Sequence, residues 1–520
     1  MNQRLPLAGI LVAGLGLCYV LFSLMLSGGN QLGDFFGYLL IAALIFGLIQ
    51  PKISVLLMLA ACGYMDWAKR LLVVADKVTQ TDLTYVLSLA PGLMAGITLG
   101  TLLQAIQGRF RLGWLQVQAL LVICFAMSIS LVLSIKQSGG LMNALQEVAN
   151  VAGYSFLLFV IPLLYPKYEE QVRLVRRVIF CYLPVAIYGM YQAAFGLADF
   201  EIAYLRTGMS ILIGQLLSGE IRPFSTLNSP TALGVICGLL TLLAWASGPL
   251  NSRPRRLPTI GMALTGLMFF CGLLASTSRS DFIILIFGSI ITWGSLRLNF
   301  LRLFYFTSSL AFLGLIISAS WLQMRLADIQ NFISSIIPPD TAFIESLTRV
   351  QTYSDRLEGF RHLSSNAQVW SLFGLSPEVA ETIYSHDPLT QSLVSYGLVP
   401  VGIAIFFGII LLKRAHGGIL RIKDKRERWL AALCLGGVGG ILTTSLLGGS
   451  RTSIFPVMVF VWLMLSILWS RIEQAARPLS ETTKEPHLNP RMLPTAEPLW
   501  HHSKPMLRFD APSQIKNKLE

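Results

Sequence analysis

Four arginines stand in short polar stretches between long apolar runs. Arg222 lies in "IRPFSTLNSP", directly before an apolar run, and Arg279 lies in "ASTSRSDF", between two others. Arg206 lies in "YLRTG" and Arg451 in "GGSRTS". A guanidinium presents a planar fork of donors that matches two phosphate oxygens at once. Several of them converging on one pocket would clamp a pyrophosphate. A lone arginine at the lip of an apolar helix also fits a snorkelling anchor at the water interface. Arg222 and Arg279 suit the clamp better, because Pro, Ser, Thr and Asn surround them.

Proton transfer needs another kind of side chain. The six histidines are His362, His386, His416, His487, His501 and His502. His386 lies in "IYSHDPLTQSLVSYGLVPVG" and could accept a proton from an attacking hydroxyl. A solvated loop histidine is the plainer reading of the same residue. Which of these groups can meet depends on the elements that carry them.

Those elements are apolar helices. The chain of 520 residues is 54% hydrophobic and 13% charged, against about 25% charged in a soluble domain. Its apolar runs are long enough to cross a bilayer and do not alternate as barrel strands would. Spans are expected near 5–27, 34–50, 52–66, 84–106, 112–135, 149–165, 178–196, 229–248, 257–277, 280–296, 302–320, 392–412, 429–447 and 453–470. The fold class is therefore all-α: a polytopic membrane protein of about 14 spans. The first run is read as a span rather than a cleaved signal. The amphipathic piece "MDWAKRLLVVADKV" at 65–78 is expected to lie in the outer interface.

Charge sets the sidedness. With the N-terminus in the cytoplasm, 28 of the 40 Lys and Arg fall on the inner side. The formal charge of +13 then follows from topology, and no nucleic-acid partner is needed. The four arginines, His362 and His386 face outward; the other histidines face the cytoplasm. Inner loops are too short for a catalytic domain. The outer loop 321–391 has helical apolar spacing and is expected to form a helical extracytoplasmic cap. The tail 471–520 is Pro-rich and polar, and is expected to be disordered and cytoplasmic. All seven cysteines sit in or at the ends of spans, so neither a disulfide framework nor a zinc site is implied. No Asp-x-Asp pair, glycine-rich phosphate loop or nucleotide-sugar motif is present, so no metal or cofactor is expected.

In order and sidedness, "RTGM…IRPFSTLNSPTALG", "TSRSDFIILIFG", "RLEGFRHL…WSLFGLSPE" and "HDPLTQSLVSYGLVPVG" resemble the O-antigen ligase and O-antigen polymerase superfamily. The resemblance runs through about 177–412, within a core of 177–470 that follows N-terminal helices over 1–176. It implies a metal-independent membrane glycosyltransferase in the bacterial inner membrane. Such an enzyme moves a glycan from undecaprenyl pyrophosphate to an acceptor hydroxyl, on a sugar or a lipid, at the periplasmic face. Arg222 and Arg279 match the pyrophosphate-gripping arginines. Arg206 and Arg356 match less firmly, and His386 matches the loop histidine. The usual Asn after that histidine is Asp387 here, so either His386 or Asp387 could be the base.

Two other classes remain. A transporter or flippase of lipid-linked glycans would carry charges through the depth of its spans, whereas here they cluster at span ends. A scaffold that binds other polysaccharide-assembly proteins would tolerate loss of the outer arginines and His386.

Overall fold

The computed structural model describes residues 31–75, 80–110, 153–207, 222–247, 256–319, 370–372, 392–394, 397–448 and 454–476, with scattered positions between 116 and 148. The described residues are helical, with no strand among them. The N-terminal helices are α1 (Gln31–Ile49), α2 (Pro51–Val74), α3 (Gln80–Leu87), α4 (Leu89–Ile106) and α5 (Leu157–Leu164). Then come α6 (Tyr168–Phe195), α7 (Asp199–Arg206), α8 (Pro230–Trp245), α9 (Arg256–Ala275), α10 (Phe282–Arg297) and α11 (Phe300–Ala319). The last are α12 (Leu398–Arg421), α13 (Lys425–Gly448) and α14 (Val457–Ala476). Five of these, α4, α6, α12, α13 and α14, contain stretches long and apolar enough to cross a membrane. The expected span at 5–27, half of 112–135 and nearly all of 321–391 lie outside the described residues.

Among the described residues, helices stand where the other spans were expected, with two corrections. The span placed at 52–66 continues without a break to Val74. The amphipathic piece expected in the interface from residue 65 is therefore the end of α2, and its Asp66 and Arg70 are buried in protein. At the other end of the chain, α14 continues through Ala476, so Arg471 and Glu473 are buried helix residues rather than the start of a tail.

α8 is the hub. Its side chains are buried from Ala232 to Ala244, and an apolar helix buried on every side must be central. It touches α6, α9, α10, α13 and α14. The buried core is continuous from α2 to α14, and residues 1–476 make one compact unit. The 176/177 division expected from sequence falls inside α6.

Helix packing relies on glycines four residues apart. A Cβ on Gly436 of α13 would lie 2.4 Å from the Gly288 carbonyl oxygen and 2.0 Å from Thr292 Oγ1 of α10. One on Gly440 would lie 2.8 Å from the Ile284 carbonyl oxygen. Gly96 and Gly100 of α4 meet the carbonyls of Leu44 and Leu48 of α1 in the same way. Backbones in direct contact gain dispersion energy that does not depend on excluding water, which suits helices in lipid.

Polar contacts between helices cluster near both ends, and between them Tyr182 Oη of α6 donates to the Leu59 carbonyl of α2 at 2.9 Å. At one end Lys52 pairs with Glu170 at 2.7 Å and Arg471 Nη2 donates to the Pro166 carbonyl at 2.6 Å. Trp429 Nε1 also donates there to the Ala246 carbonyl at 2.8 Å. The other end carries Arg222.

The glycine contacts set an expectation. Gly436→Ala forces α10 and α13 apart and should lower stability by about 1–3 kcal/mol, the usual range for overpacking. Gly408→Ala, with nothing within 4 Å of the added Cβ, should leave stability unchanged or slightly raised. Thermal unfolding in detergent tests both, and equal melting temperatures for the two variants would refute the close-contact account.

Candidate functional site

Two hinges meet at the Arg222 end. The first runs from Arg222 to Ser229. Ser229 caps α8, its Oγ accepting from the Ala232 amide at 3.1 Å, and Pro230 follows at the first helical position, where its missing N–H costs nothing. The second hinge links α9 to α10. It closes on the 3-10 turn Arg279–Asp281, which packs against α8, α10 and α13.

Arg222 joins them. Its Nε donates to Thr277 Oγ1 at 2.6 Å, and its Nη2 donates to the Ser276 carbonyl at 2.9 Å. Ser276 directly follows α9, so its carbonyl belongs to the negative end of that helix, where a cation is favoured. A snorkelling anchor would extend past its own helix toward water. Arg222 instead binds the hinge in which Arg279 lies, at Ser276 and Thr277.

Both hinges hold a residue in the left-handed region: Ser225 at φ 57° and Thr277 at φ 52°. Such a conformation costs about 1–3 kcal/mol and marks places where the surroundings dictate the backbone. Thr277 is the stronger outlier because it is β-branched. Asp281 is also fully buried. Its carboxylate lies against the backbone of α8, where a Cβ on Gly234 would come 2.2 Å from Oδ2 and 2.9 Å from Ser276 Oγ. Any side chain at 234 would displace it.

Beneath the first hinge is a ring of hydrogen bonds that sequence reading missed. Arg70 Nη1 pairs with Glu201 Oε1 at 3.1 Å, both side chains being almost wholly buried. Gln192 Nε2 donates to the same oxygen at 2.7 Å. Gln192 Oε1 accepts the Ser225 amide at 2.6 Å and the Phe224 amide at 3.1 Å. Arg70 Nη2 closes the ring on the Ser225 carbonyl at 2.6 Å. The guanidinium also lies 4.6 Å from the centre of the Phe224 ring, a cation–π contact. Removing one partner of such a buried pair costs about 3–5 kcal/mol, because the other charge is left uncompensated. The signal in the sequence was Asp66 and Arg70 on one turn of an apolar helix, with Glu201 in the polar stretch after α6 that forms α7.

The remaining site residues are placed as follows. Arg206 ends α7 with its side chain exposed, one residue after Leu205, which packs with the Tyr204–Phe224 pair. Arg279 begins the 3-10 turn, two residues after Thr277, which Arg222 binds. Arg356, His386, Asp387 and Arg451 lie outside the described residues. The chain on either side of His386 is fixed at two points. The amides of Leu398 and Val399, which start α12, donate to the carbonyls of Ser371 and Leu372 at 2.8 and 3.1 Å. Gly397 at φ 88° turns the chain into that helix. The chain therefore leaves Leu372 and returns by Gly397 to the same place.

No family model matches the chain, and neither a curated protein nor a solved structure matches it.

The contact between the hinges can be isolated. Thr277→Val keeps the shape and the β-branching but loses the acceptor. It should destabilise the protein by about 1–2 kcal/mol, the worth of a hydrogen bond to a charged group less some relaxation. Denaturant unfolding measures it, and an unchanged midpoint would show that the Arg222–Thr277 bond contributes nothing.

Proposed function

We propose that the chain is a membrane glycosyltransferase that uses a lipid-pyrophosphate glycan as donor. The observation that carries this reading is the junction at Arg222, whose guanidinium bonds to Ser276 and Thr277 of the hinge that also bears Arg279. Two arginines from separate hinges are thereby held at one end of the bundle. The motif resemblance to O-antigen ligases and polymerases supports the same assignment of both residues.

On this reading the Arg222 end faces the periplasm, and the end with Lys52, Arg471 and Trp429 faces the cytoplasm. That orientation fits the positive-inside bias. The chain crosses the inner membrane about 14 times, and residues 321–391 form a helical cap over the site. Both termini are cytoplasmic.

The chemistry is a displacement at the anomeric carbon. The oxygen of the acceptor hydroxyl forms a bond to that carbon as the bond to the pyrophosphate oxygen breaks. The bonding pair leaves with the pyrophosphate, whose growing charge Arg222 and Arg279 stabilise. The hydroxyl proton passes to His386 or Asp387. Arg206 and Arg356 contribute to binding the donor's charged head or glycan. No nucleotide is consumed, because the donor already carries its leaving group. The acceptor is a growing polysaccharide or a lipid-linked core, giving a polymerase or a ligase.

The test uses purified protein with an undecaprenyl-pyrophosphate oligosaccharide and an acceptor glycan, without nucleotide. The parent should extend or transfer the glycan. Arg222→Ala and Arg279→Ala should each cut turnover about 10²–10³-fold, as expected when a preorganised charge partner of the transition state is lost. Full turnover in both variants would refute the clamp.

A further inference from the structure

The Arg70–Glu201–Gln192 ring does more than tie helices together. Its bonds converge on the backbone of one short stretch of the first hinge. Gln192 takes the amides of Phe224 and Ser225, and Arg70 takes the Ser225 carbonyl. Ser225 Oγ donates in addition to the Val185 carbonyl, and Thr226 Oγ1 to the Gly63 carbonyl at 2.6 Å. Residues 224–226 are thus bound on every side to α2 and α6.

That placement is transmitted to Arg222 by covalent geometry. Pro223 stands between Arg222 and Phe224 and is buried. Its ring fixes its own φ, and its Cδ restricts the residue before it to extended backbone. With 224–225 pinned and 223 rigid, the direction in which Arg222 leaves the backbone is set. The side chain then has the Ser276 carbonyl and Thr277 Oγ1 within reach.

We propose that Arg70, Glu201 and Gln192 form a positioning unit that presets the guanidinium of Arg222 for its anion. Glu201 has the middle role. It holds Arg70 and Gln192 with one oxygen, and with the other it accepts the Ala198 amide at 3.2 Å at the start of α7. Its carboxylate therefore also locks the short helix that ends in Arg206. A simple helix staple would need only the ion pair. Positioning needs the donor on residue 70 and the acceptor on residue 192, aimed at the hinge backbone.

The functional half of the proposal rests on the glycosyltransferase reading; the structural half stands without it. The experiment separates them with the exchanged pair Arg70→Glu/Glu201→Arg and with Gln192→Met, in the full-length protein in lipid nanodiscs. The exchanged pair keeps opposite charges together, so its melting temperature should recover most of what Arg70→Ala loses. A carboxylate at 70 cannot donate to the Ser225 carbonyl, however. Amide hydrogen exchange over 222–229 should therefore run about tenfold or more faster than in the parent in both variants, with 430–446 unchanged. In the transfer assay the KM for the lipid-pyrophosphate donor should rise about tenfold, while that for the acceptor stays put.

Parental exchange rates over 222–229 in either variant would overturn the proposal, as would slow exchange in the exchanged pair, which would make the ring a staple only. Fast exchange with an unmoved donor KM in an active protein would overturn the link to Arg222. If the parent itself transfers no glycan, the glycosyltransferase reading fails, and the exchange measurement still decides whether the unit holds the hinge.

Discussion

A guanidinium buried in an apolar bundle must have its charge and its donors answered nearby, and Arg70 is such a group. Left without a carboxylate it would cost several kcal/mol of desolvation. Left without acceptors it would strand donors in a medium that offers none. The chain answers with Glu201, with the Ser225 carbonyl and with the backbone carbonyl of Asp66 at 3.2 Å. Each answer fixes something else. Glu201 draws in α7, Ser225 draws in the hinge before α8, and Gln192 satisfies the hinge amides that Arg70 does not reach. The course of the chain from 222 to 229 follows from this one requirement.

The rest of the bundle lets those parts stay still. α8 is wedged among neighbours on every side, so the hinge at its start and the turn beside it cannot slide along it. Gly234 lets the Asp281 carboxylate approach the α8 backbone, and Gly436 and Gly440 let α13 press on α10 just beyond that turn. The opposite end is closed by contacts of the same kind. Arg471 holds the Pro166 carbonyl there, and Gln171 donates to Ser470 Oγ at 2.9 Å. The ion pairs Lys52–Glu170 and Arg70–Glu201 thus brace the two ends of α2.

The two arginines owe their meaning to different kinds of support. Arg222 has bonds that tie it to a second hinge, and these give it a fixed place. Arg279 has a backbone position, two residues beyond the threonine that Arg222 holds. The buried Asp281 closes the same turn, its carboxylate against the α8 backbone at Gly234.

Apolar length and charge bias were legible in the sequence because each is local. A run of apolar residues must hide its backbone in a helix wherever it sits, so most helix positions followed from the residues themselves. Ser229 and Pro230 announced the start of α8 by the same local logic. The kinship of the Arg222 and Arg279 stretches was visible in their shared setting of hydroxyls and turns. The partners of Arg70 were not legible. Glu201 is 131 residues away and Ser225 is 155, and nothing periodic links them. For the same reason α2 read as a short span with an interfacial tail, since a buried ion pair and an exposed pair of charges look alike in one dimension. Only the fold decided which charges left water, because desolvation depends on what packs against a side chain and not on its neighbours in the chain.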